Sequence, residues 1–395
     1  MMGNQGEVRD GPPEKGGRRA PEPGARAMKV ERITLTHVRI PLIEPFRISN
    51  GEVSDKDGIL VRVDAGGLAG MGEASPMAGS YYSDDTPASV WKFLSDRIIP
   101  AAFAAKADSV ASINRLLRRT GGSSFARAGL ETAFWDLEAR SAGKPLYQLI
   151  GGYNVPVESG LEVGITNGIP ALIATIEKYL AEGYKRVKIK IQPGWDVGPL
   201  GEIRQRFGDI PLMVDANGAY AREDIPHLRS LDAFGLMMIE QPLPGDDLRG
   251  HAELQGKIRT PVCLDEGAGD LAAVRRAIRM NSCRLVNIKI QRVGGLANAI
   301  AVHDLCASVG MPVCAGTMPE LGIGGAQTLH LATLPNFAFP TDVESSARWF
   351  IDDIIEPLIT VREGMIKIPV GTGNCYEPAE AAIRRFRVDE RVFEP

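Results

Sequence analysis

The sequence lacks the marks of a secreted, membrane-spanning or nucleic-acid-binding protein. Its five cysteines form no CxxC pair, which favours buried, reduced thiols over a disulfide framework. No apolar run approaches the roughly 20 residues that a membrane span needs, and no signal-peptide core opens the chain. The net charge is −4 and there is no basic stripe, so nucleic acid is not an expected partner. We therefore expect a cytoplasmic protein that binds neither membrane nor nucleic acid.

Histidine is scarce as well, and this bears on metal binding. The five histidines stand in no ligand spacing, so we interpret them as structural or surface groups rather than metal ligands. With 395 residues, of which 44% are hydrophobic and 24% charged, the chain is long enough for a barrel and a second domain.

Local composition divides the chain into four parts. Residues 1–27 are rich in Gly, Pro, Arg and Glu and have almost no large apolar side chains to bury, so we expect a disordered extension. Residues 28–154 show strand patterns followed by amphipathic helices, which predicts an α+β domain. Residues 155–355 alternate strand and helix patterns, and residues 356–395 are predicted to return to the first domain.

Five short apolar runs in the third part each deliver a charged residue near their C-terminal ends. The runs YKRVKIKI, PLMVDAN, LMMIEQP, PVCLDEG and RLVNIKI carry Lys190, Asp215, Glu240, Asp265 and Lys289. The first four charges are 25 residues apart and the fifth follows after 24. A strand, a helix and two loops take up about this length. The spacing therefore predicts consecutive βα units of a parallel barrel, with all five side chains at its mouth.

The three carboxylates in this set predict a metal site. Inward carboxylates on adjacent strands repel one another unless a cation holds them. Ligation by oxygen alone favours Mg²⁺, with Mn²⁺ as a substitute. The predicted metal ligands are thus Asp215, Glu240 and Asp265.

The lysines are the predicted acid–base groups. Lys190 and Lys289 lie on strands that flank the three acidic ones, which places an amine on each side of a metal-bound substrate. Strand alternation puts Lys188 on the same face as Lys190. Because two close ammonium groups repel each other, we expect lowered lysine pKa values, as a base working near neutral pH needs.

These motifs resemble the catalytic set of the muconate-lactonizing branch of the enolase superfamily. The resemblance is carried by Lys188-Ile-Lys190, Asp215-Ala-Asn217, Glu240-Gln-Pro242, Asp265-Glu266 and Asn287-Ile-Lys289. Within that branch the chain is most similar to the o-succinylbenzoate synthase / N-succinylamino acid racemase group, through PFRISNG, GEASPMAGSYYSDDT, KIKIQPGWD and MPELGIGGA.

The resemblance implies both a fold and a reaction. The fold is an α/β modified TIM barrel of the (β/α)7β type with an α+β capping domain, whose loops at 46–51 and 77–85 cover the barrel mouth. The reaction is Mg²⁺-dependent abstraction of the α-proton of a small carboxylate substrate through an enediolate intermediate. It leads to o-succinylbenzoate by dehydration, as in menaquinone biosynthesis, to racemisation of an N-succinyl or N-acylamino acid, or to both. A homo-oligomer is also expected by analogy.

Six further residues are predicted to support the catalytic set or contact the substrate: Asn217, Glu266, Asn287, Arg292, Glu320 and Glu162. Arg292 matches an arginine of racemase-competent members and is expected to act on Lys289. Glu320 follows the seventh strand, where it either serves the site or caps the helix beginning at Gly322. That strand, at 311–317, has no histidine, so a His base of the mandelate racemase kind is absent.

Several positions depart from the family pattern and leave the substrate open. Glu162 stands where a small hydroxyl residue is usual, Ile290-Gln291 replaces a Pro-containing pair, and Gly325 stands where an arginine is common. A dipeptide epimerase or a cycloisomerase of the same superfamily is an alternative, with the acidic pair Asp342 and Glu344 as candidates for holding an ammonium group. A more distant alternative is a metal-binding barrel scaffold without catalysis.

Overall fold

The chain begins with an antiparallel sheet in the computed structural model, which describes residues 28–79 and 83–395. The disorder expected for residues 1–27 concerns a segment outside these residues. The sheet contains β1 (Val30–Ile48), β2 (Gly51–Ala65) and β3 (Leu68–Ala74), with a C-terminal strand beside β1. The sequence predicted a strand at 33–42, a loop at 45–51 and a second strand at 58–67. In the structure β1 continues through most of that loop, and a shift in the β1–β2 register lies between Pro41 and Phe46.

Helices pack on this sheet and complete the first domain. They are α1 (Pro87–Phe93), α2 (Ile99–Ala104), α3 (Val110–Thr120), α4 (Ser124–Ser141) and α5 (Leu146–Ile150), with a π-helical turn at Leu94–Ile98. Helix α4 lies directly against β3, where a Cβ on Gly72 would be 2.1 Å from the carbonyl oxygen of Gly129. Glycine at this crossing therefore lets the two backbones touch.

Seven parallel strands and their helices form the second domain. In chain order the elements are β4 (Val157–Glu158), β5 (Leu161–Val163), α6 (Ile169–Ala181), β6 (Val187–Lys190), α7 (Val197–Phe207), β7 (Leu212–Asp215), α8 (Ile225–Ser230), β8 (Ile239–Glu240), α9 (Leu248–Gln255), β9 (Val262–Leu264), α10 (Leu271–Met280), β10 (Leu285–Ile288), α11 (Ile290–Val293), α12 (Leu296–Ser308), β11 (Val313–Ala315) and α13 (Gly322–Ala332). Strands β5 to β11 are neighbours in sequence order, so the sheet curls in one direction. The stretch VPVESGLEVGI at 155–165, which the sequence predicted as the first barrel strand, is divided between β4 and β5.

An extended segment at 337–342 connects the two edges of the curled sheet. Phe337 forms a parallel bridge to Val313 of β11, and Thr341 forms one to Ser159, just before β5. The seven strand–helix units are thus followed by a segment in the eighth strand position. The predicted (β/α)7β barrel with an α+β capping domain is confirmed.

The rest of the chain returns to the capping domain. Its elements are α14 (Ser346–Trp349), β12 (Ile355–Glu356), β13 (Met365–Ile366), β14 (Glu377–Pro378), α15 (Glu380–Phe386) and β15 (Arg387–Phe393). Strand β13 pairs with β4, and β15 pairs with β1 at the edge of the first sheet. The sequence predicted the last helix but not the strand after it. Among the described residues, no helix has the length and apolar character to cross a membrane.

The inner surface of the barrel is apolar toward the amino ends of its strands and charged toward their carboxyl ends. Met213, Met238, Cys263, Leu285 and Cys314 form a separate buried cluster on five of its strands. Side chains of a strand alternate between its two faces, so the residues two positions further along also face inward. Those positions on β7 to β10 are acidic or amide residues. All five cysteines are buried and unpaired, as predicted.

Two buried carboxylates of the capping domain bind the amino ends of barrel helices. Glu131 of α4 accepts hydrogen bonds from the first two backbone N–H groups of α12, at 2.7 and 3.0 Å. Glu73 of β3 accepts from the N–H groups of Leu321 and Gly324 at the start of α13, at 2.8 and 2.7 Å. These N–H groups lack partners within their helices and carry partial positive charge, so the carboxylates join the domains.

Candidate active site

Five charged side chains stand at the ends of five neighbouring barrel strands. Lys190, Asp215 and Glu240 are the last residues of β6, β7 and β8, and Asp265 and Lys289 directly follow β9 and β10. In the strand register Lys190 lies opposite Asp215, which in turn lies opposite Glu240. Each is no more than 4% exposed. The structure therefore brings together the five residues that the sequence singled out by spacing.

The two outer lysines contact different carboxylates. Nζ of Lys190 lies 2.6 Å from Oδ2 of Asp215, and Nζ of Lys289 lies 2.8 Å from Oδ2 of Asp265. Strands β7 and β9 lie on either side of β8. The two ammonium groups are therefore at opposite ends of the row of three carboxylates.

The three carboxylates suit a divalent cation in donor type and strand order, although their side chains do not converge on one point. Within residues 28–79 and 83–395, no three His, Cys, Asp or Glu side chains are arranged to hold a metal ion. Asp215 and Asp265 are each paired with a lysine instead. Burial raises the pKa of Glu240 to about 8, and the charges of Asp215, Asp342 and Asp265 add to this effect. A cation among these oxygens would remove that repulsion, so the donor set fits a divalent metal.

Neighbouring amides and a further carboxylate hold the row in place. The backbone N–H of Asn217 donates to Oδ1 of Asp215 at 2.9 Å, and its Nδ2 donates to Oε1 of Glu266 at 3.1 Å. Nδ2 of Asn287 donates to Oε1 of Glu240 at 2.8 Å. Oδ1 of each asparagine and Oε2 of Glu266 are buried without a hydrogen-bond partner among the described residues. These oxygens are of the kind that a hard cation or its waters bind.

Lys188 lies deeper than Lys190 and is surrounded by carboxylates. Its Nζ is 2.6 Å from Oδ2 of Asp342, 3.4 Å from Oε2 of Glu240 and 3.6 Å from Oε1 of Glu162. Lys188 is 1% exposed, so it is enclosed by protein. This position suits a structural cation below the reacting groups better than a proton-transferring base.

The expectation that the pKa values of Lys188 and Lys190 lie below their ordinary value is wrong for this arrangement. Burial alone would lower both pKa values, but Asp342 raises that of Lys188 well above its usual range, and Asp215 raises that of Lys190. Glu162 adds to both effects. The carboxylates around the pair therefore outweigh the repulsion between the two ammonium groups.

Glu162, the residue that departs from the family pattern, contacts the predicted base directly. Its Oε1 lies 2.7 Å from Nζ of Lys190. Burial opposes its ionisation, but Lys188 and Lys190 lower the pKa of Glu162 below its ordinary value. The backbone N–H of Glu162 donates to Oε1 of Glu344 at 2.7 Å, which fixes the strand end. Glu162 thus brings an additional negative charge to the Lys190 side of the site.

Arg292 reaches the site through Asp265. Its Nε donates to Oδ1 of Asp265 at 2.9 Å, while Lys289 contacts the other oxygen. Burial opposes ionisation of Asp265, but Arg292 and Lys289 outweigh it and hold the pKa of this carboxyl below its usual range. Arg292 and Lys289 therefore share one carboxylate, through which a change in either cation affects the other.

Glu320 does not cap α13, so the capping role, one of the two predicted for this residue, is wrong. The N–H groups at the start of the helix bind Glu73 and also Asp353, whose Oδ1 is 2.9 Å from the N–H of Gly322. Burial, with the added charge of Glu73, raises the pKa of Glu320 to about 8. Its two carboxylate oxygens are buried, and within the described part of the chain neither has a hydrogen-bond partner of good geometry.

The turn between β1 and β2 covers the Lys190 side of the barrel mouth. The ring of Phe46 lies 5.8 Å from Nζ of Lys190 and edge-on against Trp349 at 5.1 Å. The N–H of Ile165, beyond β5, donates to the carbonyl of Arg47 at 2.8 Å. The predicted covering loop at 46–51 therefore contacts the site. The second predicted loop, at 77–85, includes residues 80–82, which lie outside the described residues.

Sequence reasoning missed two residues that organise the site. Asp342, which the sequence offered as an ammonium ligand or as a residue that orients loops, accepts from Arg186 and from Lys188, each at 2.6 Å. Its place in the eighth strand position was the available signal. Gln241 accepts the backbone N–H groups of Asp265 and Gly267 at 3.0 and 2.9 Å, which shapes the loop after β9. Its position directly after Glu240 gave no such indication.

Comparisons with known proteins match both domains. A family model described as mandelate racemase / muconate lactonizing enzyme, N-terminal domain, matches residues 30–151, and one described as enolase C-terminal domain-like matches residues 171–382. The chain is 40% identical over 368 residues to an o-succinylbenzoate synthase of Geobacillus kaustophilus, covering 93% of this chain and 98% of that protein. It is 42% identical over 352 residues to an N-succinylamino acid racemase of Amycolatopsis sp, covering 89% and 95%. A solved structure of an enolase superfamily member from Listeria innocua Clip11262 superposes with a TM-score of 0.89 at 31% identity, covering 93% and 99%.

Proposed function

This chain belongs to the mandelate racemase / muconate lactonizing enzyme family of the enolase superfamily, and on that premise we propose that it abstracts the α-proton of a small carboxylate substrate. The proposed overall reactions are dehydration to o-succinylbenzoate and racemisation of an N-succinylamino acid or another N-acylamino acid. Both begin with the same proton transfer. They differ in whether the substrate carries a β leaving group.

The observation that carries this proposal is the position of the two outer lysines. Lys190 and Lys289 contact the two outer carboxylates of a three-carboxylate row, so an amine stands at each end of it. A substrate bound over the row presents one face of its α-carbon to each amine. A lysine on each side of one carbon is suited to removing a proton from that carbon and returning one to it.

The lysines carry out the proton steps of both reactions. In racemisation, the neutral amine of one lysine takes the α-proton and the ammonium of the other donates a proton to the opposite face. In dehydration, Lys190 takes the α-proton, the bond to the β-hydroxyl breaks, and the ammonium formed on Lys190 returns that proton to the departing hydroxyl, which leaves as water. Lys289 then acts as a fixed cation beside the developing negative charge.

Asp215, Glu240 and Asp265 are the residues proposed to hold Mg²⁺, with Mn²⁺ as a substitute. The bound cation supplies positive charge beside the substrate carboxylate, which lowers the cost of removing a proton from the adjacent carbon. Asp215 and Asp265 are also the carboxylates that pair with Lys190 and Lys289. A cation held by these residues would compete with the two ammonium groups for the same oxygens and would favour the neutral form of each amine.

Two contacts bear on the choice of substrate. Arg292 shares Asp265 with Lys289, which supports proton exchange on both faces and hence racemisation. Asp342 is already bound by Lys188 and Arg186, so it is not available to hold the ammonium group of a dipeptide. Glu344, the other member of the acidic pair, keeps Oε2 buried without a hydrogen-bond partner among the described residues, so the pair as a whole leaves the dipeptide epimerase alternative open.

The test is α-proton exchange in ²H₂O with Mg²⁺. Each enantiomer of an N-succinylamino acid is incubated with the enzyme, and loss of the α-proton signal is followed by ¹H NMR. A second assay follows o-succinylbenzoate formation from its hydroxy-acid precursor, and an L-Ala-L-Glu dipeptide serves as the comparison substrate. We expect exchange in the first assay, turnover in the second, or both. Absence of both activities with metal present would reject the proposed function, and turnover of the dipeptide alone would favour the epimerase.

A further inference from the structure

The end of β3 in the capping domain contacts the loop that carries Lys289. The side-chain amide of Gln291 donates from Nε2 to the carbonyl oxygen of Glu73 at 2.8 Å and accepts at Oε1 from the N–H of Ser75 at 3.1 Å. Gln291 is 1% exposed and lies two residues after Lys289. Because both groups of one amide bind one backbone segment, the contact fixes direction as well as distance.

The same end of β3 also contacts the loop that carries Glu320. The carboxylate of Glu73 accepts from the N–H of Leu321, the residue after Glu320, and from that of Gly324. The hydroxyl of Ser75 donates a short hydrogen bond to this carboxylate. Residues 73–75 are thus held by two barrel loops at once. We refer to two sets of contacts together as the clasp: those of Gln291 with the backbone of residues 73 and 75, and those of the Glu73 carboxylate with the loop after Glu320.

A buried lysine continues the clasp toward the covering loop at 77–85. Nζ of Lys56 donates to the carbonyl oxygen of Pro76 at 3.2 Å and is 4% exposed. The charges of Glu73 and Glu320 both act on this ammonium. Lys56 therefore holds the backbone just before the covering loop and places a positive charge near Glu73 and Glu320.

On the other side of the site the capping domain contacts the barrel through the β1–β2 turn, by the hydrogen bonds from Ile165 to Arg47 and from Ser49 to Ala216, and neither involves the strand of Lys190. Lys190 is on β6, four strands from β10 in the sheet. Gln291 lies within α11, the single helical turn that begins directly after Lys289, so movement of that turn moves the lysine backbone. Loss of the clasp should consequently disturb Lys289 and leave Lys190 in place.

We propose that Gln291 and Glu73 are positioning residues. They couple the position of the capping domain on the barrel to the orientation of the Lys289 side chain. This inference rests on the proposed function, in which Lys289 serves one face of the α-carbon. It assigns to the capping domain a part in proton transfer besides covering the substrate. Gln291 is also a position at which the chain departs from the family pattern.

The experiment compares Gln291→Met with Gln327→Met in the full-length enzyme with Mg²⁺. Gln327 is a matched control: it is also 1% exposed, and its Nε2 donates at 3.0 Å to the carbonyl of Met71 on the same strand, β3. Gln291→Met removes two hydrogen bonds between the capping domain and the barrel and Gln327→Met removes one, but only Gln291 lies in the loop that carries Lys289. Exchange rates for both enantiomers of an N-succinylamino acid are measured, and Lys289→Ala identifies the enantiomer that Lys289 deprotonates.

The ratio of the two exchange rates decides the outcome. In Gln291→Met, exchange of the Lys289-dependent enantiomer should fall about tenfold relative to the other, while Gln327→Met should keep the wild-type ratio. An equal change in the exchange rates of both enantiomers, or the same shift of their ratio in Gln327→Met, would overturn the inference. The proposed function would still stand in that case, because it depends on exchange by the wild type. If Gln291→Met does not purify in folded form, Gln291→Asn, which is one methylene shorter, is subject to the same criterion.

Discussion

Replacing Gly164 with alanine should lift the β1–β2 turn from the barrel mouth. Gly164 directly follows β5, and a Cβ at this position would lie 2.7 Å from the carbonyl oxygen of Arg47 and 3.2 Å from a ring carbon of Phe46. The nearest atom belongs to the backbone, so a rotamer change cannot relieve the contact. The turn must move by about 0.7 Å to reach ordinary van der Waals separation.

The movement affects two interactions over the site. It weakens the hydrogen bond from Ile165 to Arg47, now 2.8 Å long, which contributes about 1 kcal/mol. It also withdraws the Phe46 ring from Lys190, a contact of 5.8 Å that contributes about 0.5–1 kcal/mol. If the turn must be closed over the substrate in the transition state, the variant has to supply about 1.5–2 kcal/mol more to close it. This predicts a fall of roughly 10- to 30-fold in kcat/KM, because about 1.4 kcal/mol corresponds to a factor of ten.

The assay is steady-state turnover of whichever substrate the wild type accepts, with thermal unfolding measured in parallel. Gly201→Ala is the control, because Gly201 lies in α7 on the outside of the barrel and an added Cβ there would meet no atom within 4 Å. We expect that control to retain the wild-type kcat/KM. Unchanged kcat/KM in a folded Gly164→Ala enzyme would show that the turn does not cover the reacting groups.

Three further outcomes are expected. Removal of divalent metal with EDTA should abolish α-proton exchange and Mg²⁺ or Mn²⁺ should restore it; exchange that persists in EDTA contradicts the metal assignment. Glu162→Gln removes the charge 2.7 Å from Lys190 and should slow Lys190-dependent exchange about tenfold while leaving Lys289-dependent exchange within about threefold; equal loss would speak against a local role. Burial lowers the pKa of His330 to about 4, so the stability linked to its neutral form is present above its unfolded pKa of about 6.5 and is lost as pH falls toward 4. Urea unfolding at pH 7.5 and pH 5 should show a loss of about 2 kcal/mol that His330→Gln lacks, and equal losses would exclude this histidine as the cause.

The spacing of charges was enough to predict the barrel because every βα unit in the middle of the chain has nearly the same length. The register then places Lys190, Asp215 and Glu240 at equal heights. Strand β15 could not be predicted in this way. Its residues 387–392 are exposed and carry no alternating apolar pattern, and its pairing with β1 joins opposite ends of the chain.

The spacing of charged residues in the sequence does not determine which partner each side chain contacts in the structure. The sequence placed Lys188 and Lys190 on one face, yet the sign of their pKa shifts depends on Asp342 and Glu162, which arrive from distant parts of the chain. Glu320 was open to two interpretations for a related reason. The carboxylate that occupies the start of α13 is Glu73, contributed by the other domain, and no local pattern around residue 322 reveals it.

The capping domain contacts the two faces of the site through different structures. On the Lys190 face it presents the β1–β2 turn, which is held by the hydrogen bond from Ile165 to Arg47 and by one from the Ser49 hydroxyl to the carbonyl oxygen of Ala216 at 3.1 Å. On the Lys289 face Glu131 and Glu73 of the capping domain bind the starts of α12 and α13, and Gln291 of the barrel binds the backbone of residues 73 and 75. Displacing the second face would uncover buried charged groups, which costs more than breaking hydrogen bonds at a turn. We therefore expect the capping domain to separate from the barrel more readily on the Lys190 face than on the Lys289 face.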